Sequence, residues 1–155
     1  MMKFKFEELE VWQLSLELIN EVYALLEKYP ADERFDLVRQ GRKSVTSVSL
    51  NIPEGSIRSK KEFRQFLRIS LGSLMETVGN LKIGVHRKYI TQEDLDSVQT
   101  IEPLYFKLIS LRKSLGQVPE WERFERVRRR RALEQVPRSG TIEQAKPWLS
   151  DRASQ

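Results

Sequence analysis

Between Asn51 and Thr77 the chain reads N-I-P-E-G-S-I-R-S-K-K-E-F-R-Q-F-L-R-I-S-L-G-S-L-M-E-T, and this stretch restricts the possible folds more than any other. Pro53 and Gly55 are helix-stopping residues. Ser59-Lys60-Lys61-Glu62 then matches the capping box S-x-x-E, in which hydroxyl and carboxylate each satisfy an orphan backbone N–H. A helix must therefore end and a new one begin within a few residues, which is the connection of an antiparallel helix pair.

The helix that starts at Ser59 carries Phe63, Leu67, Ser70, Leu74, Val78, Leu81 and Val85 at steps of 4, 3, 4, 4, 3 and 4, the seam of a bundle helix. Gly72 and Gly79 lie seven residues apart on one flank. Each costs about 1 kcal/mol in a helix interior, so close approach of another backbone is the expected compensation. Tyr89-Ile90 closes the helix.

The same period runs through the rest of residues 1–116. Val11, Trp12, Leu14, Leu18, Ile19, Val22, Leu25 and Leu26 form the apolar side of a first helix from Glu8 to Tyr29, stopped by Pro30. Asp32 is the predicted N-cap of a second, with Glu33 in its first turn and Leu37, Val38, Val45, Val48 and Ile52 along it. Thr91 followed by Glu93 and Asp94 opens a fourth, which runs through Leu95, Val98, Ile101, Tyr105, Leu108, Ile109, Leu111 and Leu115 to Gly116. Pro103 should bend or split this last helix at Glu102.

The pattern predicts an all-α protein, an antiparallel up-and-down four-helix bundle over residues 1–116. Residues 117–155 are expected to form an arginine-rich, partly disordered extension, with Trp121, Phe124 and Val127 at the spacing of a short charged helix.

Charge is unevenly distributed. Residues 1–36 carry 4 Lys/Arg against 9 Asp/Glu, and residues 37–68 carry 8 against 2, in a chain whose net charge is +5. Acidic and basic helices could pair within or between subunits, or the basic face could meet phosphate. The candidate nucleic-acid-binding residues are Arg39, Arg42 and Lys43 on the second helix and Arg58, Lys60, Lys61, Arg64 and Arg68 at the start of the third. The block Arg128, Arg129, Arg130 and Arg131 in the tail completes the set. Contacts of this kind are salt-dependent and tolerant of sequence.

Catalytic and metal chemistry find little footing. The chain has no cysteine, which removes disulfides and thiolate sites, and it has one histidine, His86, beside Arg87 and Lys88. A lone imidazole without a Glu-x-x-His pair cannot build a carboxylate-bridged metal site. Glu54 and Glu76 are better read as partners of Arg42 or of another subunit's arginine than as an acid/base pair. No glycine-rich phosphate loop, cofactor motif, signal peptide or membrane span is recognisable, so a non-enzymatic cytoplasmic protein is expected.

An ordered set of short elements resembles a known family. These are Leu9-Glu10-Val11-Trp12-Gln13, Leu37-Val38 with Gln40 and Arg42, Asn51-Ile52 with Glu54-Gly55, and Lys61-Glu62-Phe63 with Phe66-Leu67, Gly72-Ser73 and Glu76-Thr77. Together, over residues 4–116, they resemble the four-helix bundle proteins encoded in intervening sequences of bacterial 23S rRNA genes. The resemblance implies a ring-like homopentamer. It extends to the accessory protein of diversity-generating retroelements, a basic pentamer that associates with a reverse transcriptase and nucleic acid. An assembly or adaptor role with nonspecific RNA or DNA binding is implied, and dedicated nucleic-acid binding is the alternative. Gly41, Pro53 and Pro103 depart from the family pattern.

Overall fold

The computed structural model describes residues 2–116, and within them every regular element is helical. A 3-10 turn, Lys5–Glu8, leads into α1, Glu10–Leu26. A second 3-10 turn, Ala31–Phe35, precedes α2, Leu37–Ser56. The long α3, Lys60–His86, is followed by the short α4, Gln92–Asp96, and by α5, Ile101–Ser114. The neighbours form a closed circuit, α1 on α2, α2 on α3, α3 on α5 and α5 on α1, with the α2/α3 pair the most extensive. This is the antiparallel up-and-down four-helix bundle expected from the periodicity. The predicted short helix around Trp121 and the remainder of the tail lie outside the described residues.

The core is largely aliphatic. Leu18, Val22 and Leu26 of α1 meet Val45, Val48 and Ile52 of α2, Leu67, Leu74 and Leu81 of α3, and Leu104 and Leu108 of α5, all essentially inaccessible to water. At about 25 cal/mol per Å² of apolar surface removed from water, such burial is the main force for folding.

A ladder of hydroxyl and amide groups runs beside this core between α2 and α3. Ser70 Oγ donates to the Val48 carbonyl at 3.0 Å, Ser73 Oγ to Ser47 Oγ at 2.9 Å, and Thr77 Oγ1 to Ser44 Oγ at 2.9 Å. Asn80 Nδ2 ends the ladder on the Leu37 carbonyl at 2.8 Å. Each rung satisfies a polar group that would be costly to bury alone. The serines and threonine that lower the helix propensity of this pair therefore return as interhelical bonds.

Several sequence expectations are corrected by the packing. The inward seam of α3 is Phe63, Leu67, Ser70, Leu74, Thr77, Leu81 and Gly84, while Val78 and Val85 are only half-buried. Thr77 enters the core because Ser44 meets it, and Gly84 because the Tyr29 ring occupies the space of its missing side chain. Gly72 and Gly79 are exposed, with nothing among the described residues within 4 Å of where a Cβ would lie, so no described backbone approaches them.

Pro53 does not end α2, which continues to Ser56. Its last turn is held by burial of Ile52 and by Gly55 lying against the Phe63 and Phe66 rings. Asp32 is not an N-cap; it lies in the 3-10 turn before α2, whose N-cap position is Asp36, without a side-chain cap bond. The fourth predicted helix is broken at residues 97–100 rather than at Glu102. There the Glu21 carboxylate of α1 accepts from the Gln99 N–H at 3.3 Å, the Thr100 N–H at 3.4 Å and the Thr100 hydroxyl. Pro103 then sits in the first turn of α5, where its absent N–H has no intrahelical partner to lose.

Candidate nucleic-acid interface

The basic start of α3 is built by its cap. Ser59 has extended backbone angles, and its Oγ accepts from the Glu62 N–H at 3.3 Å while the Ser59 N–H donates to Glu62 Oε2 at 3.2 Å. The hydrogen bond from the Ser59 hydroxyl, then that from its backbone N–H, with the nearby Arg58 charge, hold the Glu62 carboxyl below its usual range. The carboxylate within this basic stretch is thus turned to the cap.

Arg58, Lys60, Lys61, Arg64 and Arg68 are all exposed around it. Lys61 and Arg68 project from the outer side of α3, whereas the Arg64 guanidinium lies across the end of α5, 2.9 Å from where a Cβ on Gly116 would sit. Antiparallel packing brings two further cations to this end, Arg112 and Lys113 in the last turn of α5. Arg112 Nε is buried without a hydrogen-bond partner among the described residues. Reading the chain segment by segment misses this pair, because only the return of α5 places it beside the start of α3.

Arg39, Arg42 and Lys43 do not join this cluster. They lie near the start of α2, so Arg42 and Arg58 are separated by roughly 24 Å of helix axis at the usual rise of 1.5 Å per residue. The Arg42 guanidinium stacks over the Tyr23 ring of α1, 5.0 Å from its centre, while Arg39 and Lys43 are exposed. Arg128, Arg129, Arg130 and Arg131 are outside the described residues.

Among the described residues no ion pair joins the acidic first helix to either basic set. Ion pairs among the described residues join Lys3 to Glu8, Lys28 to Asp94 and Lys107 to Glu10. Glu76 accepts from the amide of Gln40, not from Arg42 as the sequence suggested, and Glu54 is exposed.

Other chemistry-bearing groups are placed as follows. His86 is exposed at the end of α3. Among the described residues no cluster of three or more His, Cys, Asp or Glu side chains could hold a metal ion. A cleft of about 230 Å³ lies between the end of α1 and the start of α2, lined by Leu26, Tyr29, Pro30, Ala31, Arg34, Val38 and Arg42. It contains no nucleophile paired with a base. The Tyr29 hydroxyl donates to the Asn80 carbonyl at 3.2 Å, and burial, then the charges of Glu33 and Tyr89, push its pKa up to about 12. Among the described residues no helix is long and apolar enough to cross a membrane.

Fold and site together define a four-helix bundle protein with a basic, capped helix start at one end. The chain belongs to the 23S rRNA-intervening sequence protein family, whose model matches residues 7–108. Its fold is shared by a protein of unknown function from the S23 ribosomal protein family of Bacteroides thetaiotaomicron. That protein is 28% identical, with a TM-score of 0.60 over 66% of this chain and 95% of the other. No curated protein matches the sequence.

Proposed function

We propose that this protein is a non-catalytic assembly module of the cytoplasm: a homo-oligomer, pentameric as the resemblance implies, that repeats a basic surface for nonspecific contact with RNA or DNA. A protein partner such as a reverse transcriptase would be recruited by the same assembly. The observation that supports this reading is the set of large apolar side chains left on the outside of the bundle. Leu16, Leu50, Ile57, Ile69, Met75, Ile83 and Phe106 are all exposed although the interior is filled. Apolar surface repeated on outer helix faces is the signature of an interaction surface.

Size-exclusion chromatography with light scattering, at low and high salt and with absorbance at 260 and 280 nm, tests it. The expected result is a species near five times the 18.3 kDa chain, at both salts. A chain of single mass at both salts overturns the assembly reading.

Dedicated nucleic-acid binding is the second reading, favoured by the convergence of Arg58, Lys60, Lys61, Arg64 and Arg68 with Arg112 and Lys113 at one end. Under it, nucleic acid copurifies at low salt and is lost at high salt. The variant with Lys61→Ala, Arg64→Ala and Arg68→Ala should then lower the salt slope of duplex binding by roughly 0.9 per contact removed. An unchanged slope excludes this end of the bundle.

A further inference from the structure

We propose that a second copy of the chain seats its α1 antiparallel on the outer stripe of α2, with Leu16 opposite Leu50 and Glu27 opposite Arg39. The proposal rests on the assembly reading above and specifies the surfaces that mate.

The outer stripe of α1 and its flanks is Leu9, Gln13, Leu16, Asn20, Tyr23 and Glu27, at steps of 4, 3, 4, 3 and 4. That of α2 is Arg39, Lys43, Thr46, Leu50, Pro53 and Ile57, with the same steps. None of these twelve side chains is fully buried, although Leu9 and Tyr23 pack partly against the core, and Leu16, Leu50 and Ile57 are 41%, 63% and 80% exposed. A repeat of 4 and 3 keeps each stripe on one line along its helix, as a helix-to-helix contact requires.

Laid antiparallel, the stripes match in chemistry at both ends and at the centre. Leu9 falls opposite Ile57, Gln13 opposite Pro53, Leu16 opposite Leu50, Asn20 opposite Thr46, Tyr23 opposite Lys43 and Glu27 opposite Arg39. Apolar meets apolar at one end and carboxylate meets guanidinium at the other. The Tyr23 ring already carries Arg42 of its own chain, so its pairing with Lys43 adds least.

The alternatives fail the same comparison. A parallel arrangement sets Leu9 against Arg39 and Glu27 against Ile57. Two α1 stripes laid antiparallel place Leu9 on Glu27, and two α2 stripes place Arg39 on Ile57. Charge against an apolar side chain leaves the charge desolvated without a partner, which opposes association. The segment charges of residues 1–36 and 37–68, acidic and basic in turn, favour the same α1-on-α2 choice.

The register needs no sliding of one copy past another. Within a chain α1 and α2 already run antiparallel, with Ser49 Oγ donating to the Ser15 carbonyl at 3.3 Å, so the paired positions stand at similar heights in the bundle. Copies related by rotation about an axis parallel to the helices bring them together directly, and each chain offers one stripe of each kind, as a closed ring needs. The cluster from Arg58 to Arg68 is left out of this contact, except where Ile57 adjoins it.

The chain has no cysteine, which makes crosslinking a clean test. Leu16→Cys and Leu50→Cys are prepared as separate full-length variants, checked for helicity by circular dichroism, and oxidised alone and mixed. A disulfide needs Cα atoms roughly 4.4–6.8 Å apart, a demanding condition for residues that do not face each other. The expected result is a covalent dimer in the mixture and none in either variant alone. Crosslinking of a single variant, or none in the mixture while the parent chain is oligomeric, overturns the proposed register. A parent chain of single mass in light scattering overturns the assembly reading itself, and this proposal with it. As a second measurement, Glu27→Arg and Arg39→Glu should each weaken association roughly tenfold, and the double variant should recover most of it. Additive losses in the double variant also overturn the pairing.

Discussion

Alanine at Gly84 is a sharp probe of how the end of the bundle is packed. A Cβ built there would overlap Tyr29 Oη and lie 2.5 Å from Cζ and 3.1 Å from Cε1, far inside van der Waals contact. The ring has little room to retreat: it is buried, bonded to the Asn80 carbonyl at 3.2 Å, and packed on Tyr89 with ring centres 5.4 Å apart. Overpacking a filled core costs about 1–3 kcal/mol. Loss of the buried hydrogen bond adds about 1 kcal/mol. Alanine returns about 1 kcal/mol of helix propensity over glycine. The net for Gly84→Ala is destabilisation by about 2 kcal/mol, or roughly 8 °C in Tm for a domain of this size.

Gly79→Ala, on the same helix but with open space around it, should instead stabilise by about 0.5–1 kcal/mol. Urea denaturation followed by far-ultraviolet circular dichroism measures both. Tyr29→Leu should remove most of the penalty at Gly84, because the two sites share one volume. If Gly84→Ala raises the urea midpoint as Gly79→Ala does, Tyr29 does not fill this space and the packing argument is refuted.

Further outcomes follow from the caps and the buried phenol. Since the folded Tyr29 keeps its proton up to about pH 12 against an ordinary pKa of 10.0, stability should be full below pH 10 and decline as the pH rises toward 12. Tyr29→Phe should flatten that decline; a profile unchanged by it would assign the loss to other groups. Ser59→Ala should cost about 1 kcal/mol by removing the cap of α3. The same change should raise the pKa of Glu62, whose depression comes first from the Ser59 hydroxyl, as carboxyl NMR titration would report. An unmoved Glu62 would place the cause elsewhere. With its folded pKa lowered, Glu62 contributes stability at neutral pH that fades as the pH falls through that lowered value.

The helices themselves were legible because their signals are local. Caps act within one turn: the box at Ser59-Glu62 forms as its residues indicate, and Thr91 caps the next helix as expected, there too as a box with Asp94. Apolar steps of three and four likewise placed Leu67, Leu74 and Leu81 inside. The basic start of α3 was readable for the same reason, as its five cations are close in sequence.

The sequence by itself therefore determined where helices form, that they pair antiparallel, and which stretch carries concentrated positive charge, since each depends on neighbours a few residues apart. The tertiary structure decided how each helix is rotated. Thr77 points inward rather than Val78 because a hydroxyl on α2 receives it, and Gly84 does so because a distant tyrosine fills its space. Partners from other helices also set the break before α5, through Glu21, and brought Arg112 and Lys113 to the end where α3 begins. Those outcomes are energies between segments far apart in the chain, and no reading of one segment contains them.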